Sequence, residues 1–380
     1  MTHDEYFQEL KEWSRRKLNI IQKYLDGFSR ILGYALEESV YYVDGFAGRG
    51  IYDMGEKGSP VLAAEMAERL QDEGKPYNLY CINIEENSDN YANLQSETAR
   101  FGNLVQNHSG TFSDKLDIIL REVTDTSALF FLDDFGVKGT EWNAVERVIS
   151  RKHPTDLWIR FDHITVRRLA GFAGSDAKDA PDKFSLLPQL FGINNRDYLL
   201  QRLGGPTPGV RIMNAVSLYL ECLESSFQKF GKKGFAAAYP ISSLDGKRKY
   251  HLVFACSHPL AATLASNIVN GEEENFQIEM QEYLESKRHQ LSLFPMEPTQ
   301  EEIFSDKVSR LKDKIVLLSK KQPLKRTYLH YKLLCYDKNL FGKIGRKHLT
   351  QALKELLNEN PPRIVCNGTP GSDQATITLI

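Results

Sequence analysis

Five short apolar runs, each closed by small or acidic residues, limit the fold of this chain more than any other feature. They are SVYYVDGF, NLYCINIEE, LVQNHSG, SALFFLDDFG and TDLWIRFD. Between them PVLAAEMAERL, NSDNYANLQSETARF, FSDKLDIILREV and EWNAVERVISR carry helical spacing. Strands rich in Val, Ile, Leu and Phe that alternate with helices imply a parallel sheet covered on both faces. Two further strand runs, GFAAAYPI and YHLVFACSH, are joined by SSLDGKRK, whose Asp245-Gly246 is a strong turn signal. The sheet is therefore expected to end in a hairpin with one antiparallel strand near its edge. Flavodoxin-like and NAD-binding folds lack that hairpin. Residues 165–230, between the fifth strand and the hairpin, read as a largely helical insertion, expected to form a lid or substrate wall.

Around this core, residues 5–33 read as an amphipathic helix, with Leu10, Trp13, Leu18, Ile21, Leu25, Phe28 and Leu32 at helical spacing. The expected organisation is a helical segment at 1–34, an α/β domain at 35–265, a linker with a helix at 266–306, and a basic domain at 307–380. From Lys307 to Thr350 there are 13 Lys or Arg and two Asp. The order helix, turn, helix, then two strands around Asn-Gly-Thr-Pro-Gly matches a winged helix. A basic helical tail that packs on the main domain is the alternative. Overall the net charge is only -2, so no global field argues for nucleic acid or membrane. Five scattered cysteines without a CxxC pair read as free thiols in a reducing cytoplasm. The charged start MTHDEYFQELKEW has no apolar core of a secretory signal, and no run approaches the ~18 residues of a membrane span.

The stretch YYVDGFAGRGIYDMGEKGSP then asks why a strand should stop in so many small residues. Small residues let the backbone turn sharply and approach a ligand without a Cβ in the way. A following helix presents unpaired N–H groups to a negatively charged group. Asp44, Gly45, Phe46, Ala47, Gly48 and Gly50 are thus candidate cofactor residues, although many α/β turns are Gly-rich for structural reasons alone. Glu85 closes the second strand, where an acid accepts hydrogen bonds from the ribose hydroxyls of an adenosine. Its distance from the turn exceeds the usual ~20 residues because the loop carrying Gly58-Ser59-Pro60 is inserted. Asp133 closes the fourth strand, on the carboxyl edge where ligands of open α/β sheets bind. No metal spacing is present, neither HxxxH nor clustered Cys and His.

A parallel sheet with this terminal hairpin is the architecture of class I S-adenosylmethionine (SAM) methyltransferases. The blocks YVDGFAGRGIYDMGEKGSPVLAAEMA, INIEEN, FFLDDFGVKGTEWNAVERVI and YHLVFACSHP also resemble the three-Cys-motif partner (TcmP) proteins, in the right order and over roughly residues 10–265. The first block is similar to bacterial 23S rRNA adenine-N6 methyltransferases, which share a D-x-x-A-G-x-G turn and a G-S-P. The resemblance implies a Rossmann-like methyltransferase fold, SAM as cofactor, and Ser59 and Lys17 near it. Two positions depart from the family pattern. Its proline after the strand-four Asp is Asp134 here, and an acid after strand three is Thr111. Asp114 would substitute for that acid only after a rearrangement of the loop.

Amino-methyltransferases of bases carry Asp/Asn-Pro-Pro-aromatic after strand four. The first side chain and a backbone carbonyl accept from the exocyclic amine, and the aromatic stacks on the flipped base. Here Asp133, the carbonyl of Asp134, and Phe135 are the catalytic candidates, although the aromatic comes one place early. Alternatively Asp133-Asp134 is a solvated turn and Phe135 is core. After strand five, Arg167 and Arg168 are candidate phosphate ligands or a solvated face, and His163 a candidate base or a structural hydrogen-bonder. Lys343, Arg346 and Lys347, which precede or begin the expected recognition helix HLTQALKELL, complete the nucleic-acid set. Three readings compete. The first is a SAM-dependent methyltransferase of DNA or RNA, at a base amine. The second is a silent nucleic-acid-binding partner on the same scaffold, in a multi-protein, phage- or mobile-element-linked system that includes a three-Cys-motif protein. The third is a methyltransferase for a small molecule or protein.

Overall fold

Seven strands build the sheet of the first of two compact units, Met1–His258 and Pro259–Ile380. The computed structural model describes residues 10–134, 136–137, 139–172, 178–287, 299–319 and 322–380. The strands are β1 (Val40–Asp44), β2 (Leu79–Glu85), β3 (Val105–Ser109), β4 (Ser127–Leu132), β5 (Thr155–Phe161), β6 (Phe235–Ser242) and β7 (Arg248–Cys256). Their order is β3-β2-β1-β4-β5-β7-β6. β1 to β5 pair in parallel, and β7 runs antiparallel to both β5 and β6. This is the class I methyltransferase sheet, hairpin included. The hairpin closes where expected, with Gly246 at φ 79° and the Ser243 N–H donating to the Lys247 carbonyl.

Every residue of β4 is buried, as a central strand covered on both faces requires. One cover is α1 (Glu12–Leu36), whose Leu18, Ile21, Tyr24, Leu25 and Phe28 are buried. The helices α2 (Ser59–Asp72), α3 (Ser88–Thr98), α4 (Phe112–Glu122) and α5 (Trp142–Ser150) connect the parallel strands. Between β5 and β6 come α6 (His163–Gly171), α7 (Ala180–Phe191), α8 (Arg196–Leu203) and α9 (Pro208–Lys229). Their Phe184, Leu187, Phe191, Leu199, Tyr219 and Phe227 belong to the same core as Ile159, Phe161 and Val253 of the sheet.

The second unit comprises α10 (Pro259–Lys287), α11 (Gln300–Leu318), β8 (Leu324–Lys325), α12 (Arg326–Tyr336), α13 (Arg346–Asn358), β9 (Ile364–Asn367) and β10 (Thr376–Leu379). Its sheet has the order β8-β10-β9 with antiparallel pairing. The stretch read as an acidic linker begins inside α10, a single helix of 29 residues. Buried Arg326 ties the unit together, donating to Asp373, to the Arg346 carbonyl and to Thr350. No described helix is long and apolar enough to cross a membrane.

Candidate functional site

The sheet order reverses at β1, which has β2 on one side and β4 on the other. Ligands of open α/β sheets bind outside the carboxyl ends of the strands at such a switch point. Asp44 stands level with Asn83 of β2 and Phe131 of β4. Asp44, Glu85 and Asp133 therefore finish along one edge. A cavity of about 620 Å³ opens there, a size within the usual range for small-molecule sites. All the cofactor candidates except Asp44 line it, as do Asp133 and Asp134.

The glycine turn owes its shape to local sterics. Gly48 and Gly50 adopt φ of 66° and 86°, a region that a side chain disfavours. The turn is also held by Glu85, whose carboxylate accepts from the Gly48 N–H at 2.8 Å and the Asn87 N–H at 2.7 Å. Each carboxylate oxygen has two acceptor positions, so capacity for further donors remains. The next helix starts only at Ser59, because Ile51 and Lys57 pair across a small intervening loop. Asp44 lies fully buried behind the turn, accepting from the Phe46 N–H and the Tyr42 hydroxyl. Burial lifts its pKa to about 6, and hydrogen bonds from Ser59, Phe46 and Tyr42 restrain that rise.

A cluster of charge forms the cavity wall at Asp133. Buried Lys17 of α1 donates to Asp133 Oδ2. Burial works to lower the Lys17 pKa, but Asp133, Tyr250 and Tyr52 together leave it raised. Arg160 of β5 places Nε 3.9 Å from Asp133 Oδ1 and donates through Nη1 to the Asp134 carbonyl at 2.6 Å. Its guanidinium also covers the Tyr250 ring at 4.9 Å. Asp133 Oδ1 is buried and has no hydrogen-bond partner among the described residues. The Asp134 carboxylate accepts from the Gly139 N–H at 2.8 Å.

Other candidates fall elsewhere. Thr111 lines the cavity, yet its hydroxyl caps α4 by accepting from the Asp114 N–H, and Asp114 itself is exposed outside the cavity. Phe135 lies outside the described residues. His163 is not at the cavity but buried against His251, with Nδ1 atoms 3.0 Å apart, so it is a structural group and not a base in this cleft. The insertion is likewise a layer of the core: none of its described residues lines this cavity, contrary to the expected substrate wall. Arg167 and Arg168 are exposed on α6. In the second unit Lys343 is exposed, while Arg346 donates to the Gly371 carbonyl and Lys347 to Glu274. Sequence reasoning missed Arg160 and Tyr250. A lone arginine inside the apolar run LWIRF was the available signal.

No family model matches this chain, and no curated protein matches it. Among solved structures, a Legionella pneumophila protein of family-model DUF519 is 10% identical, with TM-score 0.35, covering 70% of this chain and 91% of its own. The O-methyltransferase TomG from Streptomyces achromogenes, solved with SAM, is 13% identical, with TM-score 0.31 and coverage of 68% and 99%. A geranyl diphosphate methyltransferase, solved with its diphosphate and sinefungin, is 14% identical, with TM-score 0.21 and coverage of 61% and 77%. Similarity this distant says nothing of chemistry.

Proposed function

We propose that this chain is a SAM-dependent methyltransferase acting on nucleic acid at a base amine, of the adenine-N6 kind. The observation that carries the reading is Asp133, a residue of the cavity wall whose buried Oδ1 has no hydrogen-bond partner among the described residues. Leaving such an atom unmet costs free energy, so a donor from a ligand is favoured there. The residues fit the cofactor as well. Gly45, Gly48 and Gly50 present backbone without Cβ, Ser59 opens α2, and Glu85 keeps acceptor capacity for ribose hydroxyls. SAM, when bound, supplies an electrophilic methyl group.

The chain's own residues do the rest. Asp133 Oδ1 would accept a hydrogen bond from one amine N–H and the Asp134 carbonyl, which also accepts from Arg160, a hydrogen bond from the other. Both contacts draw the amine lone pair out of conjugation with the ring. Lys17 and Arg160 hold the two acceptors in place. The second unit, with two helices, a strand, two helices and a hairpin in chain order, would deliver the polymer as a winged helix. On its four sequence blocks the chain would stand with the TcmP proteins.

Calorimetry with SAM is the first test. Binding is expected, and Glu85→Ala should weaken it by about 1.5–3 kcal/mol, the value of hydrogen bonds to a charged group. Absence of binding by the wild type would remove the enzyme reading. The second test is tritiated methyl transfer to RNA and DNA, with nucleoside mass spectrometry to locate the product. Asp133→Ala should lower turnover by at least about 10²-fold, as loss of a positioning contact does, while SAM affinity stays within twofold. The silent-partner reading has its own support. Lys17 and Arg160 already engage Asp133 Oδ2 and the Asp134 carbonyl. It prevails if the wild type binds SAM and polymer but modifies neither RNA nor DNA.

A further inference from the structure

The helices between β5 and β6 enclose a second cavity of the first unit, about 160 Å³ in volume. Its walls are apolar or small residues of α6, α8 and α9, together with Arg167 and Arg211. Among the described residues those two arginines are the only charged ones that line it, and neither forms an ion pair with a described carboxylate. Two guanidinium groups that line one small apolar-walled cavity offer donors to a single anion. Arginine is the side chain whose planar donor fork fits phosphate.

Topology sets where this cavity opens. Arg167 lies in the second turn of α6, which leaves the carboxyl end of β5. Arg211 lies in the first turn of α9, a helix of 22 residues and hence about 33 Å. That helix leads into β6, whose first residue Phe235 pairs with Cys256, level with the start of β5. The far end of α9 is thus at the amino edge of the sheet, and Arg211 is at the carboxyl edge. This is the edge that carries the Asp133 cavity.

We infer that Arg167 and Arg211 form a phosphate-binding pocket, which holds a backbone phosphate of the polymer beside the methyl-transfer cavity. The phosphate site stands on its own geometry; its assignment to a polymer rests on the nucleic-acid reading above. The test uses the full-length protein and the variant Arg167→Gln/Arg211→Gln, both residues being exposed. Lys233→Gln, an exposed cation before β6 at the opposite edge, serves as the control. Thermal unfolding verifies that each variant is folded. Binding of a single-stranded oligonucleotide is measured across a salt series, and binding of inorganic phosphate and of SAM by calorimetry. The double variant should lose at least about tenfold in oligonucleotide affinity. Its slope of log affinity against log salt should become shallower by about 0.7 for one lost phosphate contact. SAM affinity should not change. An equal loss in Lys233→Gln would overturn a local site in favour of general charge. Loss of phosphate binding with intact oligonucleotide binding would keep the pocket and overturn its polymer assignment. If the double variant binds both ligands as the wild type does, or the wild type binds neither, there is no pocket. SAM binding, read separately, reports on the methyltransferase reading whichever result is obtained.

Discussion

Ion pairs chosen from the two units differ in burial. In the first, Lys17 meets Asp133 with side chains only 4% and 13% exposed, at the wall of a cavity. In the second, Lys347 meets Glu274 at 56% and 27%, and Arg346 meets Asp373 at 55% and 50%. Counting charges along the chain would rank them the other way, since the run from Lys307 to Thr350 is the basic one. A count of lysines and arginines does not measure free positive surface: Arg326, Arg346 and Lys347 all have acids or carbonyls within reach. Burial decides strength as well. Away from water an ion pair is screened little, and losing one partner strands the other. An exposed pair gains little over hydration.

The largest effect that would sharpen this contrast is at Lys17. Lys17→Met should lower stability by about 3–5 kcal/mol, because it leaves the Asp133 carboxylate buried without its hydrogen-bonded partner, with only Arg160 at 3.9 Å. Lys17→Met/Asp133→Leu should recover most of that loss in chemical denaturation. If the single variant costs less than about 1 kcal/mol, the pair is no stronger than one on the surface.

Asp44 should come next, through pH. Its folded pKa, about 6, lies above the ordinary 3.8 because burial disfavours the charged form. The stability it contributes is then fully present below about pH 3.8 and is lost as pH rises through about 6. The difference is on the order of 3 kcal/mol. Asp44→Asn should flatten the stability profile between pH 4 and 7 when denaturation midpoints are compared. An unchanged profile would mean that Asp44 is as well solvated as any surface carboxylate.

The smallest effect belongs to the second unit. Lys347→Ala should change stability by about 0–1 kcal/mol, the usual value of an exposed pair. A loss above 2 kcal/mol in the same denaturation experiment would erase the difference between the two regions.

Much of the fold was legible. Strand runs buried on both faces have no polar alternation to hide them, and Asp245-Gly246 marks its turn by local conformational preference alone. The same holds for the glycine turn and for Glu85 at the end of β2, since both depend on neighbours in the chain. Arg160 was not legible in the same way. Its contacts with the Asp133-Asp134 turn span more than 20 residues of sequence, and only the pairing of β4 with β5 brings them together. His163 shows the opposite error. After a strand end it looks available for chemistry, but β7 brings His251 beside it and both are buried.

By itself the sequence determined which segments become strands and helices, where the sheet turns back, and that a small-residue turn precedes an acid at the end of β2. Those are consequences of periodicity and backbone sterics, which act over a few residues. Only the tertiary structure decided that Lys17 lies against Asp133, which oxygen of that carboxylate keeps no hydrogen-bond partner among the described residues, and that Arg167 shares a cavity with Arg211. Charge interactions depend on distance and burial in space, and neither can be read from separation along the chain.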